Sequence, residues 1–202
     1  MVLVVGLGNP GREYEGSRHN VGFMAVDALR QAEGWPDFKP KFSGVWTRGE
    51  LSGRPVVLLK PLTYMNLSGE SVQPAAAYLK VGSQDVVVVH DELDLAWGDV
   101  RLKVGGGHAG HNGIRSIIDR LGADFVRVRV GIGKPPSGFR GDGADWVLSA
   151  FDAVERAELP GVVDVAIRAV RAVVTEGLSA AMGRVNVKVS DLSKKLRSPG
   201  SK

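Results

Sequence analysis

The polar residues of this chain that could do chemistry fall at the junctions of its elements. Asn9 follows the first apolar run, His19 and Asn20 stand directly before the first helical pattern, and Asn66 lies in Tyr64-Met65-Asn66-Leu67-Ser68-Gly69 ahead of the next helix. Asp91 closes the run Val86-Val87-Val88-Val89-His90, while His111 and Asn112 end a glycine-rich stretch, Gly105-Gly106-Gly107-His108-Ala109-Gly110, and open another helix. In an open α/β sheet the C-terminal ends of parallel strands and the helix starts that follow them share one edge, where ligands usually bind. Gathered at that edge, these residues would make a cleft furnished with an imidazole, a carboxylate and several neutral amides, a hydrolase-like set. Each residue also has a plainer reading. Asn20, Asn66 and Asn112 could be helix N-caps, and Asp91 with Glu92 and Asp94 could be a solvated acidic turn or a cation site. His19 could be a structural histidine. The pair His108-x-x-His111 lacks a third ligand and sits among glycines, which makes a weak metal signature.

The elements that would have to position these groups are legible as periodicities. Apolar runs of strand length occur at Val2–Leu7, Val56–Leu59, Val86–Val89 and Val126–Ile132, and Gly44–Leu51 with Arg54–Lys60 across Ser52-Gly53 predicts a hairpin. Val21, Met24, Ala25, Ala28, Leu29 and Ala32 recur at helical spacing, as do Ile114, Ile117, Ile118 and Leu121. A long C-terminal helix is expected from about Gly161 to Met182, with Gly183 near its stop. Strands and helices alternate without a compositional break. The expected fold is therefore a single α/β domain over residues 1–186 with a mixed, mostly parallel twisted sheet flanked by helices. Residues 135–143 read as a surface loop, and residues 187–202 as a basic, mobile tail.

Composition narrows the chemistry. The chain has 202 residues, 44% hydrophobic and 24% charged, with no cysteine, which removes disulfides, thiolate metal sites and cysteine nucleophiles from consideration. The formal charge of +4 permits an anionic partner without establishing one, because Lys188, Lys194, Lys195, Arg197 and Lys202 face only Asp191 beyond position 186. No apolar run approaches a membrane span and no signal peptide is apparent, so a cytoplasmic protein without a membrane partner is expected.

One motif points elsewhere. Gly6-Leu7-Gly8-Asn9-Pro10-Gly11 fits the dinucleotide-binding pattern G-x-G-x-x-G after a strand. That fingerprint needs a helix opening within the glycine turn, so that its amides meet a pyrophosphate. Here helical periodicity begins only near Asn20, and Gly34-Trp35-Pro36 stands where a second strand ending in an acid belongs. Gly6 and Gly8 read better as positions of close backbone approach.

Several long segments in one register resemble the bacterial peptidyl-tRNA hydrolase family. They are Gly6–Gly11 with Tyr14, Arg18-His19-Asn20-Val21-Gly22, Lys60–Gly69, His90-Asp91-Glu92-Leu93-Asp94 and Gly105–Gly113, continued by Arg127–Gly133 and Val147–Phe151. The resemblance covers roughly residues 2–186. It implies a hydrolase of peptidyl-tRNA released from stalled ribosomes, acting as a monomer with no cofactor and no metal. By motif position it makes His19 the catalytic histidine and Asp91 its orienting partner. Asn9, Asn66 and Asn112, with Tyr14 and Tyr64, become substrate-binding residues, and Met65 and His111 line the site. Lys103 and Arg129 fall where the family grips the tRNA phosphate end. A non-catalytic RNA-binding relative of the same fold is the alternative, and a generic esterase of small aminoacyl esters a third.

The chemistry so implied suits the residue types. Alkoxide from ribose leaves more readily than an amine, so one activated water suffices for the ester. A neutral imidazole, with a reference pKa of about 6.5, can take that water's proton near neutrality. With no cysteine, and no serine in a nucleophile-elbow context, direct attack by water is expected rather than a covalent intermediate. Asparagine amides can serve an oxyanion or a peptide main chain without adding charge beside the base.

Overall fold

A computed structural model describes residues 1–186. The tail expected at 187–202 lies outside the described residues. Seven strands form one sheet: β1 (Val2–Gly6), β2 (Lys39–Lys41), β3 (Gly44–Leu51), β4 (Arg54–Pro61), β5 (Val86–Glu92), β6 (Val100–Val104) and β7 (Val126–Gly131). Their spatial order is β2-β3-β4-β1-β5-β7-β6. The central strands β4, β1, β5 and β7 run parallel, and antiparallel pairings add β3 and β2 at one edge and β6 at the other. This is the mixed, mostly parallel α/β sheet expected.

Helices cover both faces, which explains why β1 and β5 are valine-rich runs buried along their whole length rather than alternating patterns. On one face α1 (Val21–Ala32), α5 (Ala153–Glu176) and α6 (Leu178–Val185) pack on Val2, Val4, Val87, Val89 and Val128. On the other, α2 (Gly69–Leu79) and α3 (Asn112–Leu121) cover Leu3, Val5, Val86 and Val88. A short α4 (Gly143–Leu148) follows the 135–142 loop. At the free edge of β6, the Asn186 side chain accepts from Leu102 N at 2.7 Å and donates to Leu102 O at 2.9 Å, imitating a further strand and closing that edge.

The C-terminal helix differs from expectation. It begins eight residues earlier than expected, at Ala153, and breaks at Gly177. Its start is a capping box in which Asp152 accepts from Glu155 N and Glu155 returns to Asp152 N. Pro160, inside the helix, stands on an exposed part of it where water can serve the freed carbonyl. The stop is set by Gly177 at φ 84°, a left-handed conformation that suits glycine, and Gly183 lies inside α6 instead of ending the helix.

The turn after β1 meets α1 at unusually close range. A Cβ on Gly22 would lie 2.3 Å from Val89 O and 2.4 Å from Leu7 N, and one on Gly6 would lie 2.2 Å from Gly22 O. Phe23 N donates to Leu7 O at 3.1 Å, tying the helix start to the end of the strand. Gly6 and Gly22 are therefore glycines because backbone passes backbone without room for a methyl group. Gly22→Ala is expected to lower stability by about 1–3 kcal/mol through this overpacking. Urea unfolding checks it, and an unchanged midpoint would show that the helix can move away freely.

Candidate active site

His19 lies in a single 3-10 turn, Arg18–Asn20, that feeds directly into α1, and it sits beside β5 because of the Gly6–Gly22 contact. Its Nδ1 is 2.8 Å from Asp91 Oδ1, and both side chains are buried. The same Oδ1 is 3.0 Å from His111 Nε2. His111 is itself the N-cap of α3: its Nδ1 accepts from Gly113 N at 3.1 Å and Ile114 N at 3.3 Å. Those two N–H groups need a lone pair on Nδ1, so the neutral His111 ring carries its proton on Nε2 and donates to Asp91. Asp91 thus accepts from two imidazoles. The His19 bond to Asp91 likewise fixes its proton on Nδ1 and leaves Nε2 with a lone pair. Burial pushes the Asp91 carboxyl upward, but the charges and hydrogen bonds of His19 and His111 outweigh it and hold the group far below the usual carboxylate range.

The plain capping reading fails for all three asparagines. Asn20 occupies an N-cap position but its side chain clasps Asn9 instead, accepting from Asn9 N at 2.8 Å and donating to Asn9 O at 3.0 Å. The Asn9 side chain accepts from Met65 N at 2.8 Å, so its oxygen is used and only its NH2 is free to donate. Asn66 sits in the turn Met65–Leu67, and Asn112 is the first residue of α3, displaced from the cap by His111. Both are exposed.

A cleft of about 550 Å³ opens over these groups. Asn9, His19, Tyr64, Met65, Asn66, Asp91, His111 and Asn112 all line it, bringing together eight residues singled out in the sequence. Arg115 lines it too, and α4 supplies a wall with Val147 and Leu148. Neither α4 nor Arg115 was marked in the sequence, since a six-residue helix after a Gly/Pro-rich loop leaves too little periodicity to read. Tyr14, Lys103 and Arg129 stand outside the cleft lining. Tyr14 is in the turn Arg12–Tyr14. Lys103 pairs in register with Arg127, and Arg101 with Arg129, so these four basic side chains share one face of the β6–β7 ladder. A Cβ on Gly106 would be 3.1 Å from Lys103 Nζ, which puts that amine at the glycine-rich loop. Arg129 Nη1 is 3.5 Å from Oε2 of Glu92, which does line the cleft.

Arg127, unmarked in the sequence beside Arg129, is a buried strut. Its Nη1 and Nη2 donate to the carbonyls of Gly107 and Gly106 at 2.7 and 2.8 Å, holding the loop that carries His111. Burial lowers its guanidinium below the ordinary range and Arg129 adds to this, while Glu92 opposes it.

As for metals, ligand atoms of His19, Asp91 and His111 lie within 4.8 Å of one another. Both ring nitrogens of His111 are already engaged, one on α3 and one on Asp91, so a cation there would have to undo the helix cap. His108 is not part of this group; its Nδ1 accepts from Gly110 N at 3.1 Å.

His90, next to Asp91, is buried, with Nδ1 2.7 Å from Asp91 O and Nε2 without a partner among the described residues. Burial drives its pKa well below the ordinary value, His111 and Arg127 push it further the same way, and Asp91 opposes them. The folded state therefore binds no proton there while the unfolded chain does so below about pH 6.5. This term costs no stability above that pH and destabilises progressively as pH falls. The melting temperature of His90→Gln is expected to fall less steeply than wild type from about pH 6.5 to 5. Parallel slopes in calorimetry would refute the assignment.

The peptidyl-tRNA hydrolase family model matches residues 3–195. Peptidyl-tRNA hydrolase of Sorangium cellulosum is 59% identical over 189 residues, covering 93% of this chain and 85% of that protein. The Mycolicibacterium vanbaalenii enzyme of the same name is 52% identical, covering 92% and 96%. In structure, the chain is similar to crystalline peptidyl-tRNA hydrolase from Acinetobacter baumannii, with a TM-score of 0.85 and 41% identity over 93% of this chain and 95% of that one.

Proposed function

The chain belongs to the peptidyl-tRNA hydrolase family, and we propose that it cleaves the ester between peptide and tRNA with a water molecule activated by His19. The observation that carries this reading is the bond of His19 Nδ1 to Asp91, which leaves a lone pair on Nε2 beside the cleft. Water held there loses its proton to Nε2 as it attacks the ester carbonyl, and the imidazolium formed is steadied by the ionised Asp91. The proton then passes from Nε2 to the departing ribose oxygen. The NH2 of Asn9 and the exposed amides of Asn66 and Asn112 serve the developing oxyanion and the peptide main chain, groups that do not depend on peptide sequence. Tyr64 and Met65 flank the bound chain.

His19→Ala is expected to lower kcat on N-blocked aminoacyl-tRNA by roughly 10²–10⁴-fold without loss of folding. Asp91→Asn is expected to lower kcat in the same assay, because the imidazolium formed in that step loses its partner carboxylate. Tight tRNA binding with no turnover by the wild type would instead identify an RNA-binding relative.

The basic face of β6–β7 fits the tRNA end. Lys103 and Arg129 are taken as contacts to phosphates that give affinity and register without reading bases, with Tyr14 near the 3′ end. No helix among the described residues is long and apolar enough to cross a membrane, and we take the enzyme to act as a cytoplasmic monomer. Lys103→Ala and Arg129→Ala should each raise KM and reduce the slope of log K against log salt by about 0.7–0.9, the value of one phosphate contact, with saturation at one tRNA per chain. A slope equal to wild type in both would remove the phosphate contacts.

A further inference from the structure

Arg18 immediately precedes the proposed base, is 2% exposed, and is used in no step of that chemistry. Its guanidinium carbon lies 3.7 Å from the centroid of the Trp146 ring and 5.4 Å from that of Phe151. Nη1 donates to Ser149 Oγ at 2.7 Å and to the Ala150 carbonyl, and Nη2 donates to Glu155 at 2.5 Å. The main chain adds Arg18 N to Ser149 O at 3.1 Å and a bridge between Ser17 and Ala150. All these partners belong to residues 146–155, the end of α4 and the start of α5. The Glu155 oxygen that meets Arg18 also caps α5 through Asp152 N at 2.8 Å. At the other end, Trp146 Nε1 donates to Gly133 O at 2.9 Å. Thus the wall that presents Val147 and Leu148 to the cleft is fastened to the turn carrying His19 through the Arg18 side chain and two adjacent main-chain links.

We propose that Arg18 is a positioning residue that sets the α4 wall in register with His19, so that substrate held against Val147 and Leu148 meets Nε2 at the distance one bridging water requires. This rests on His19 being the base. A planar guanidinium suits the task because its edge serves Ser149, Ala150 and Glu155 while its face lies on Trp146, an arrangement that the single ammonium of lysine cannot reproduce. Burying that charge is costly, and burial lowers the Arg18 pKa while Glu155 and Asp152 oppose the shift. The consequence of losing register is kinetic, since a displacement of about 1 Å in a reacting group can cost 10²-fold in rate.

The test uses the full chain with Arg18→Lys, Trp146→Leu and the double variant. The readouts are kcat and KM on N-acetylated aminoacyl-tRNA, Kd for deacylated tRNA, and the Trp146 indole N–H resonance in ¹⁵N spectra. Each single variant is expected to lose about 10- to 100-fold in kcat/KM well below its melting temperature, with Kd for deacylated tRNA unchanged. The double variant should lose no more than the worse single, because both cut the same connection. The indole resonance should move in Arg18→Lys and stay in place in His19→Ala. Activity within about twofold of wild type in folded single variants, or losses that multiply in the double, overturns the proposal. If Arg18→Lys does not fold, Trp146→Phe, which keeps a ring face, should retain activity that Trp146→Leu loses; equal activities overturn it. Full activity in His19→Ala would instead defeat the assignment of the base, while the indole shift still reports on the Arg18–Trp146 contact.

Discussion

A buried carboxylate oxygen shared by two imidazoles is the constraint around which this molecule is arranged. Asp91 Oδ1 meets His19 at 2.8 Å and His111 at 3.0 Å, and a charge so buried survives only because both partners donate to it. That requirement passes from one group to the next. The amides at the start of α3 need an acceptor, so His111 Nδ1 must be bare and its proton must sit on Nε2. The His111 proton thus falls to Asp91, and His19 supplies the other. What remains is the lone pair on His19 Nε2. The backbone of one helix therefore determines, through two side chains, which nitrogen of a third can act as a base.

Such an arrangement has demanding tolerances, and the fold meets them with stiff contacts. Asp91 lies on β5, a central strand buried on both faces, where neither residue nor register can slip. His19 approaches it only because Gly6 and Gly22 let the β1 turn and α1 touch backbone to backbone. Asn9 is held on three sides, by the two bonds to Asn20 and by Met65 N. The glycine-rich loop, which would otherwise be free to vary, is braced by Arg127.

Much of this was legible in the chain. The valine runs, the hairpin turn at Ser52-Gly53 and the polar residues at element ends correspond to the sheet and to the residues around the cleft, because burial on both faces and turn chemistry leave local signatures. What could not be read were relations between distant segments. That His111 caps α3 while Asn112 does not, that Asn20 serves Asn9, and that Arg127 differs from Arg129 depend on strand register and loop closure rather than spacing. The C-terminal helix shows a different failing: Asp152-x-x-Glu155 is a local signal for its start that the apolar periodicity from Gly161 onward does not include. The α4 wall, six residues behind a glycine- and proline-rich loop, carried no usable periodicity.

The cationic side chains around the His19–Asp91 pair raise a last question of electrostatics. Arg115 lines the cleft, and three further guanidinium groups near the site are each answered locally. Arg18, the neighbour of His19 in sequence, is paired with Glu155 at 2.5 Å. Arg129 faces Glu92 at 3.5 Å, and Arg127 is turned onto two carbonyl dipoles. Charges so compensated project little field at the distance of the imidazole, whereas Asp91, in direct contact with it, acts at full strength. The cleft itself offers neutral amides. Asp91, hydrogen-bonded to the ring at 2.8 Å, is thereby the charge closest to the His19 imidazole.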